Sequence, residues 1–225
     1  MRRLAFLLSF LFYFSLSMAL TYEEIKQAYY QSYMFEKRGD FQNAIKSLMK
    51  VYKYYPTGYT VNLRLGWLYY LAKNYPKSIY HYEKAISVAP YSIEAKLGLT
   101  LPYLAEGKFN SVENVCYQIL RTDFYNYYGN LRLAYVLRKE GKYKLAKKVI
   151  LKMLTLYPTD TEFLMELALN YIALGEKAKA KRILEDILIL EPLNYKARRY
   201  LEKLNSSKWK AFSLWNLIKS MLYLR

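Results

Sequence analysis

Pro56, Pro90, Pro158 and Pro192 stand 34, 68 and 34 residues apart, and the vacant place in that series, residue 124, holds Phe124. A fixed period of this length means stacked copies of one supersecondary unit, none of which buries its apolar face alone. Five units follow without insertion, at about 25–58, 59–92, 93–126, 127–160 and 161–194. Small or apolar residues recur at Ala44, Ser78, Val112, Ala146 and Ala180. Three places earlier stand Phe41, Tyr75, Phe109 and Tyr143, with Lys177 in the fifth unit. Before these come turn-forming stretches, in which Gly39, Gly107, Gly141 and Gly175 suit the positive φ that ends a helix. In the second unit Asn74 is expected to take that place, and Pro76 falls in the first turn of the next helix. Within KLAKKVILKML the apolar Leu145, Val149 and Met153 share one helical face and Lys144, Lys148 and Lys152 another. Each unit therefore reads as helix, turn, helix, turn, and the chain as all-α.

The pattern resembles the tetratricopeptide repeat, W-x2-L-G-x2-Y, then A-x3-F, then P. The second unit carries it in Leu65, Gly66, Tyr69, Ser78, Tyr82, Ala85 and Pro90. The fifth has Leu167, Ala168, Tyr171, Ala180, Leu184 and Pro192, and the fourth Leu133, Ala134, Leu137, Ala146, Ile150 and Pro158. The first is looser, with Ser32, Phe35, Ala44, Leu48 and Pro56. The third departs most, with Thr100, Val112, Cys116 and Phe124 at these places. The resemblance implies a right-handed α-solenoid over residues 20–205, closed by a capping helix over 195–205. Gly66 and Ala134 mark close helix approach, and Pro102, inside a first helix, is expected to bend it.

In this family the first helices line a concave surface that holds a partner peptide. Carried over unit by unit, those positions are Tyr29 and Tyr33, then Leu63, Trp67 and Tyr70. They continue as Leu97, Leu101 and Leu104, then Leu131, Tyr135 and Arg138, and end with Met165, Leu169 and Ile172. Members that hold acidic C-terminal tails use Lys and Asn here; that set is absent, so such tails are not the expected ligand. Trp67, Tyr70 and Tyr135 are the expected anchors, and Trp67→Ala is expected to weaken binding with little change in melting temperature.

The ends read differently. MRR followed by LAFLLSFLFYFSLSMAL has the form of a secretory signal, residues 1–19, with an uncleaved anchor as the alternative. The chain carries +17; without Arg2 and Arg3, 33 basic against 18 acidic residues leave +15. In an exported protein that charge points to an acidic partner, an anionic membrane surface or an anionic polysaccharide rather than to nucleic acid. Residues 206–225 form a basic amphipathic segment that is expected to be helical. Its Trp209, Phe212, Leu214, Trp215, Ile218 and Leu222 are candidates for contact with the last repeat, a partner or a membrane interface. A basic stripe through Lys144, Lys147, Lys148, Lys152, Lys179, Lys181 and Arg182 is expected to face outward. One His and one Cys supply no metal set, no catalytic constellation appears, and neither a metal nor a cofactor is expected. The expectation is a non-enzymatic interaction scaffold of a bacterial cell envelope, in the periplasm or at the membrane periphery. A glycan-binding or polysaccharide-export and secretion component is the alternative.

Overall fold

The computed structural model describes residues 19–206. The expected signal segment up to residue 18 and the amphipathic segment from 207 onward lie outside the described residues. Among the described residues all regular structure is α-helical, in eleven helices. These are α1 (Tyr22–Lys37), α2 (Phe41–Tyr54), α3 (Tyr59–Leu71), α4 (Tyr75–Val88), α5 (Ile93–Ala105), α6 (Phe109–Thr122), α7 (Tyr127–Lys139), α8 (Tyr143–Leu154), α9 (Thr161–Ala173), α10 (Lys177–Leu190) and α11 (Tyr195–Asn205). From α4 on, every helix starts 34 residues after its counterpart in the preceding unit. The sixth member of the first-helix series is α11, at the place expected for a cap.

Local chemistry fixes these starts. Asp40 and Asn74 cap α2 and α4, accepting from the N–H of Asn43 and Lys77. Ser92, Asn126, Asp160 and Asn194 do the same for α5, α7, α9 and α11. Each tight turn inside a unit closes with a pair of backbone bonds, as in Gly39 N–H to Glu36 C=O at 2.8 Å and Asp40 N–H to Phe35 C=O at 3.0 Å. That pairing needs one residue in the left-handed region. Gly39, Gly107, Gly141 and Gly175 hold it at φ 69–78°. In the second unit Lys73 holds it, at φ 58°, and not Asn74. The register settles this, because 73 is the residue 34 after Gly39. Asn74 is free to cap α4.

The first-helix column Ser32, Thr100, Ala134 and Ala168 is fully buried, and Gly66 joins it. At Ser32, Gly66, Ala134 and Ala168 the small residue lets paired helices close on one another. Gly98 is a second close approach that the repeat pattern does not mark. A Cβ on Gly98 would stand 2.2 Å from Tyr82 Cε1, and one on Gly66 2.9 Å from the same ring. Tyr82, 3% exposed, is thus clamped between α3 and α5 by two glycines. Asn62 and Asn130, 68 apart, each clasp the turn before their helix. Asn62 Nδ2 donates to the Pro56 and Gly58 carbonyls at 2.9 and 2.8 Å. Asn130 Nδ2 donates to those of Phe124 and Asn126 at 3.1 and 2.8 Å.

The chain forms two compact units, up to Lys108 and from Phe109. In the first, Leu48, Val51, Val61, Leu65 and Leu68 form a core with Phe35, Trp67 and Tyr69 packed on it. In the second, one core gathers Ala134, Ile150, Met153, Phe163 and Leu167, and another Leu164, Met165, Ala168, Leu184, Ile187 and Ala197. Helix α5 runs on through the buried Pro102, whose ring leaves the Gly98 carbonyl without its helical donor. The division between the units falls in the same repeat. Cys116 is buried, and burial pushes its thiol up to about 12, so it stays an unreactive thiol. Gly98→Ala is predicted to destabilise the first unit by roughly 1–3 kcal/mol despite the better helix propensity of Ala, because Tyr82 has no room to retreat. Urea unfolding of the variant beside wild type measures it.

Candidate functional site

The concave-face positions fall into two groups, one in each compact unit. In the first unit Trp67 is half-buried and its indole N–H donates to Glu36 Oε1 at 2.7 Å. Glu36 Oε2 also pairs with Arg64. Trp67 continues into Tyr70 and Tyr75, with ring centroids 5.7 and 6.2 Å apart along the row. Burial pushes the Tyr29 hydroxyl up to about 12 against the pull of Arg64, so it is a neutral donor. Tyr33 is 48% exposed, with the Lys37 ammonium 4.7 Å above its ring. Leu63, Leu97 and Leu101 are half-buried.

This placement changes what Trp67 does. It packs on the first core and its one polar atom is already satisfied. Truncation would remove that packing and the indole donor to Glu36. Trp67→Ala is now predicted to cost roughly 2–3 kcal/mol of stability, rather than to leave the melting temperature unmoved. Calorimetry of the single variant decides it.

In the second unit Tyr135, Arg138, Met165 and Leu169 come together across α7 and α9, while Leu131 packs on the core of Ala134, Ile150 and Phe163. Arg138 does not face outward with a free charge. Its Nε and Nη2 donate to Glu166 Oε2 and Oε1 at 2.8 and 3.1 Å, a bidentate pair with both side chains largely buried. Arg138 to Glu166 and Glu36 to Arg64 span the same 28 residues at the same register, with signs reversed. One inter-repeat ion pair has thus been written twice, in opposite senses. Met165, carried over as a lining residue, is 6% exposed and packs with Leu164, Ala168 and Leu184, so it serves mainly the core.

A cavity of about 390 Å³ opens beside these residues, and α11 supplies five of its twelve lining residues. Tyr135, Tyr195 and Tyr200 give it aromatic faces. Lys139, Lys196, Arg199 and Lys203 give it charge, against Glu162 and the neutralised Glu166. Among the described residues none of these four cations stands in an ion pair. Sequence reading treated α11 as a polar cap and missed this set. The register contained it: Arg199 continues the series Leu63, Leu97, Leu131, Met165, and Lys203 continues Trp67, Leu101, Tyr135, Leu169. Tyr135 also holds the Arg138 and Lys139 cations 5.5 and 5.6 Å from its ring centroid.

His81 is a structural residue in an aromatic box. Its ring stacks on Tyr69 at 5.2 Å and 6°, and meets Tyr52 and Tyr80 edge-on, each at 5.1 Å. Nδ1 lies 2.9 Å from Asn62 Oδ1. Because Asn62 spends its NH₂ on two carbonyls, that oxygen is an acceptor and His81 must donate from Nδ1. Burial, with Lys77 adding repulsion, brings its pKa down to about 4. A folded value below the unfolded one gives stability that is present above about pH 6.5 and is lost as pH falls toward 4. Thermal melts should therefore fall between pH 6.5 and 4, by up to ~3 kcal/mol, and His81→Phe should flatten that slope. Among the described residues no group of three or more His, Cys, Asp or Glu is placed to hold a metal, and no helix is long and apolar enough to cross a membrane.

Models of the tetratricopeptide repeat match residues 35–93, 127–160 and 162–193, together 125 of the 225 residues. The irregular third unit lies in the gap. No curated protein sequence matches the chain. Among solved structures, a tetratricopeptide repeat protein from Parabacteroides merdae aligns with a TM-score of 0.75 at 17% identity, over 85% of this chain and 77% of that one. MamA aligns with a TM-score of 0.67 at 19% identity, over 78% and 96% of the two chains. YrrB, described as a TPR protein with an unusual peptide-binding site, gives 0.65 at 12%, over 76% and 88%. At these identities the likeness is one of fold.

Proposed function

The chain belongs to the tetratricopeptide repeat family, and from that premise we propose that it is a non-enzymatic scaffold that docks a segment of another protein on its first-helix face. The observation that carries this reading is the cavity of about 390 Å³ walled by α7, α9 and α11. It combines tyrosine faces with four cations that stand in no ion pair among the described residues. Such a wall fits an extended segment carrying carboxylates and apolar or aromatic side chains. Tyr and Arg supply contact area and directional bonds, and the lysines supply attraction that salt weakens. The absence of the Lys and Asn set on the earlier first helices argued against acidic ligands; α11 supplies cations from a place that pattern does not include. Export to a bacterial envelope is part of the proposal and is supported by the N-terminal sequence alone.

The test is binding of acidic, aromatic-containing peptides from a display library to wild type and to Arg199→Glu with Lys203→Glu. The double variant is predicted to lose at least roughly tenfold in affinity, about 1.4 kcal/mol, with a weaker salt dependence and a melting temperature within a few degrees of wild type. Unchanged affinity in that variant would remove α11 from the site.

A further inference from the structure

We infer that the second compact unit carries another docking site, on its second-helix side between α6 and α8, that takes an aromatic side chain flanked by carboxylates from an acidic partner protein. The inference does not rest on the groove reading, since the residues are different.

The hollow is large, about 890 Å³, within the range of ligand sites. Its floor is apolar, made by Leu120, Phe124, Leu133 and Val149. Its charged lining is Arg121, Lys148 and Lys152, with no carboxylate among the lining residues. Lys152 Nζ donates to the Phe124 carbonyl at 2.9 Å and lies 3.8 Å from the centre of the Phe124 ring. Burial lowers its pKa, a sign that its charge is short of solvation.

The repeat register shows why the space exists. Leu120, Lys148 and Val149 each stand 68 residues after Tyr52, Tyr80 and His81. In the first unit those three side chains, with Tyr69, pack as one ring cluster. In the second unit every ring of that cluster is replaced by a smaller or flexible side chain, and Leu137 stands in for Tyr69. The hydrogen bond is lost as well. Asn130 repeats both donor bonds of Asn62, but its buried Oδ1 has no partner where Asn62 Oδ1 receives His81. What is missing is ring-shaped, and what surrounds it is cationic. An incoming aromatic ring restores the packing, and flanking carboxylates meet Arg121, Lys148 and Lys152. The chain's own material is a poor occupant. Its net charge is +17, and residues 208–225 carry four basic residues and no acidic one.

The first unit also supplies the control. Leu120→Tyr, Lys148→Tyr and Val149→His together rebuild the ring cluster and fill the hollow. The probe is a short fluorescent peptide with one tryptophan flanked by glutamates, titrated against the full chain. Wild type should bind it, with affinity falling as salt rises. The filled variant should melt no lower than wild type and bind at least roughly tenfold more weakly. Should the filled variant misfold, Arg121→Gln with Lys148→Gln alters exposed side chains only and should weaken binding by a similar factor. Arg199→Glu with Lys203→Glu should leave this binding unchanged. No binding by wild type overturns the proposal. So does binding that the filled variant retains, or binding that only the Arg199 and Lys203 substitutions abolish. Capture of phosphatidylglycerol vesicles in place of the peptide, lost on filling, would make the hollow a lipid site and overturns it too.

Discussion

No helix pair in this chain buries its apolar face without a neighbour, and the structure depends on meeting that need every 34 residues. Small side chains at Ser32, Gly66, Ala134 and Ala168 let the two helices of a repeat close, and Leu48, Ile150 and Leu184 fill the space between them. The clamped Tyr82 ring shows how little slack remains in the first unit. The same demand explains α11, which packs Ala197, Tyr200 and Leu201 onto the last core and gives it an outer wall. Because α11 is a first helix by register, covering the core also places Arg199 and Lys203 in the groove series. The cap and the proposed binding surface come from one element.

Much of this was legible in the sequence. The proline series and the turn glycines set the helix starts, and the capping helix begins and ends where its residues suggested. Lys73 shows where residue preference misleads: Asn tolerates the left-handed region better than Lys, but the bond pattern of the turn puts residue 73 there whatever its identity. Gly98 was invisible to the repeat pattern because the ring that needs it sits on another helix. Trp67 and Arg138 looked exposed because register gives a direction and not a partner. Their partners, Glu36 and Glu166, lie about one repeat away, and only the fold shows that both pairs are closed.

The differences between matching places of the two units sort into physical kinds. Some are compensated internally, as with His81, whose ring box and Asn62 bond replace an ordinary apolar contact. Others are not: Val149 and Leu120 at the matching places of the second unit leave space, an orphaned Asn130 oxygen and three cations around it. On the proposed reading the uncompensated kind marks surface open to a partner, and so do the α11 cations, which stand in no ion pair among the described residues. Positive charge on this chain is therefore not uniform. Part is held in ion pairs such as Lys142 with Glu113 at 2.6 Å, and part is left over in two places lined by aromatic and aliphatic side chains.

The central claim is that the wall formed by α7, α9 and α11 receives an acidic segment of another protein. Site-specific photo-cross-linking tests it most directly, with the reactive group at Tyr200 and, as control, at the exposed Tyr91. The account predicts cross-links from Tyr200 to one acid-rich segment of a discrete partner, suppressed by Arg199→Glu with Lys203→Glu. Equal labelling from Tyr91, or cross-links from Tyr200 that survive the charge reversal, would contradict it.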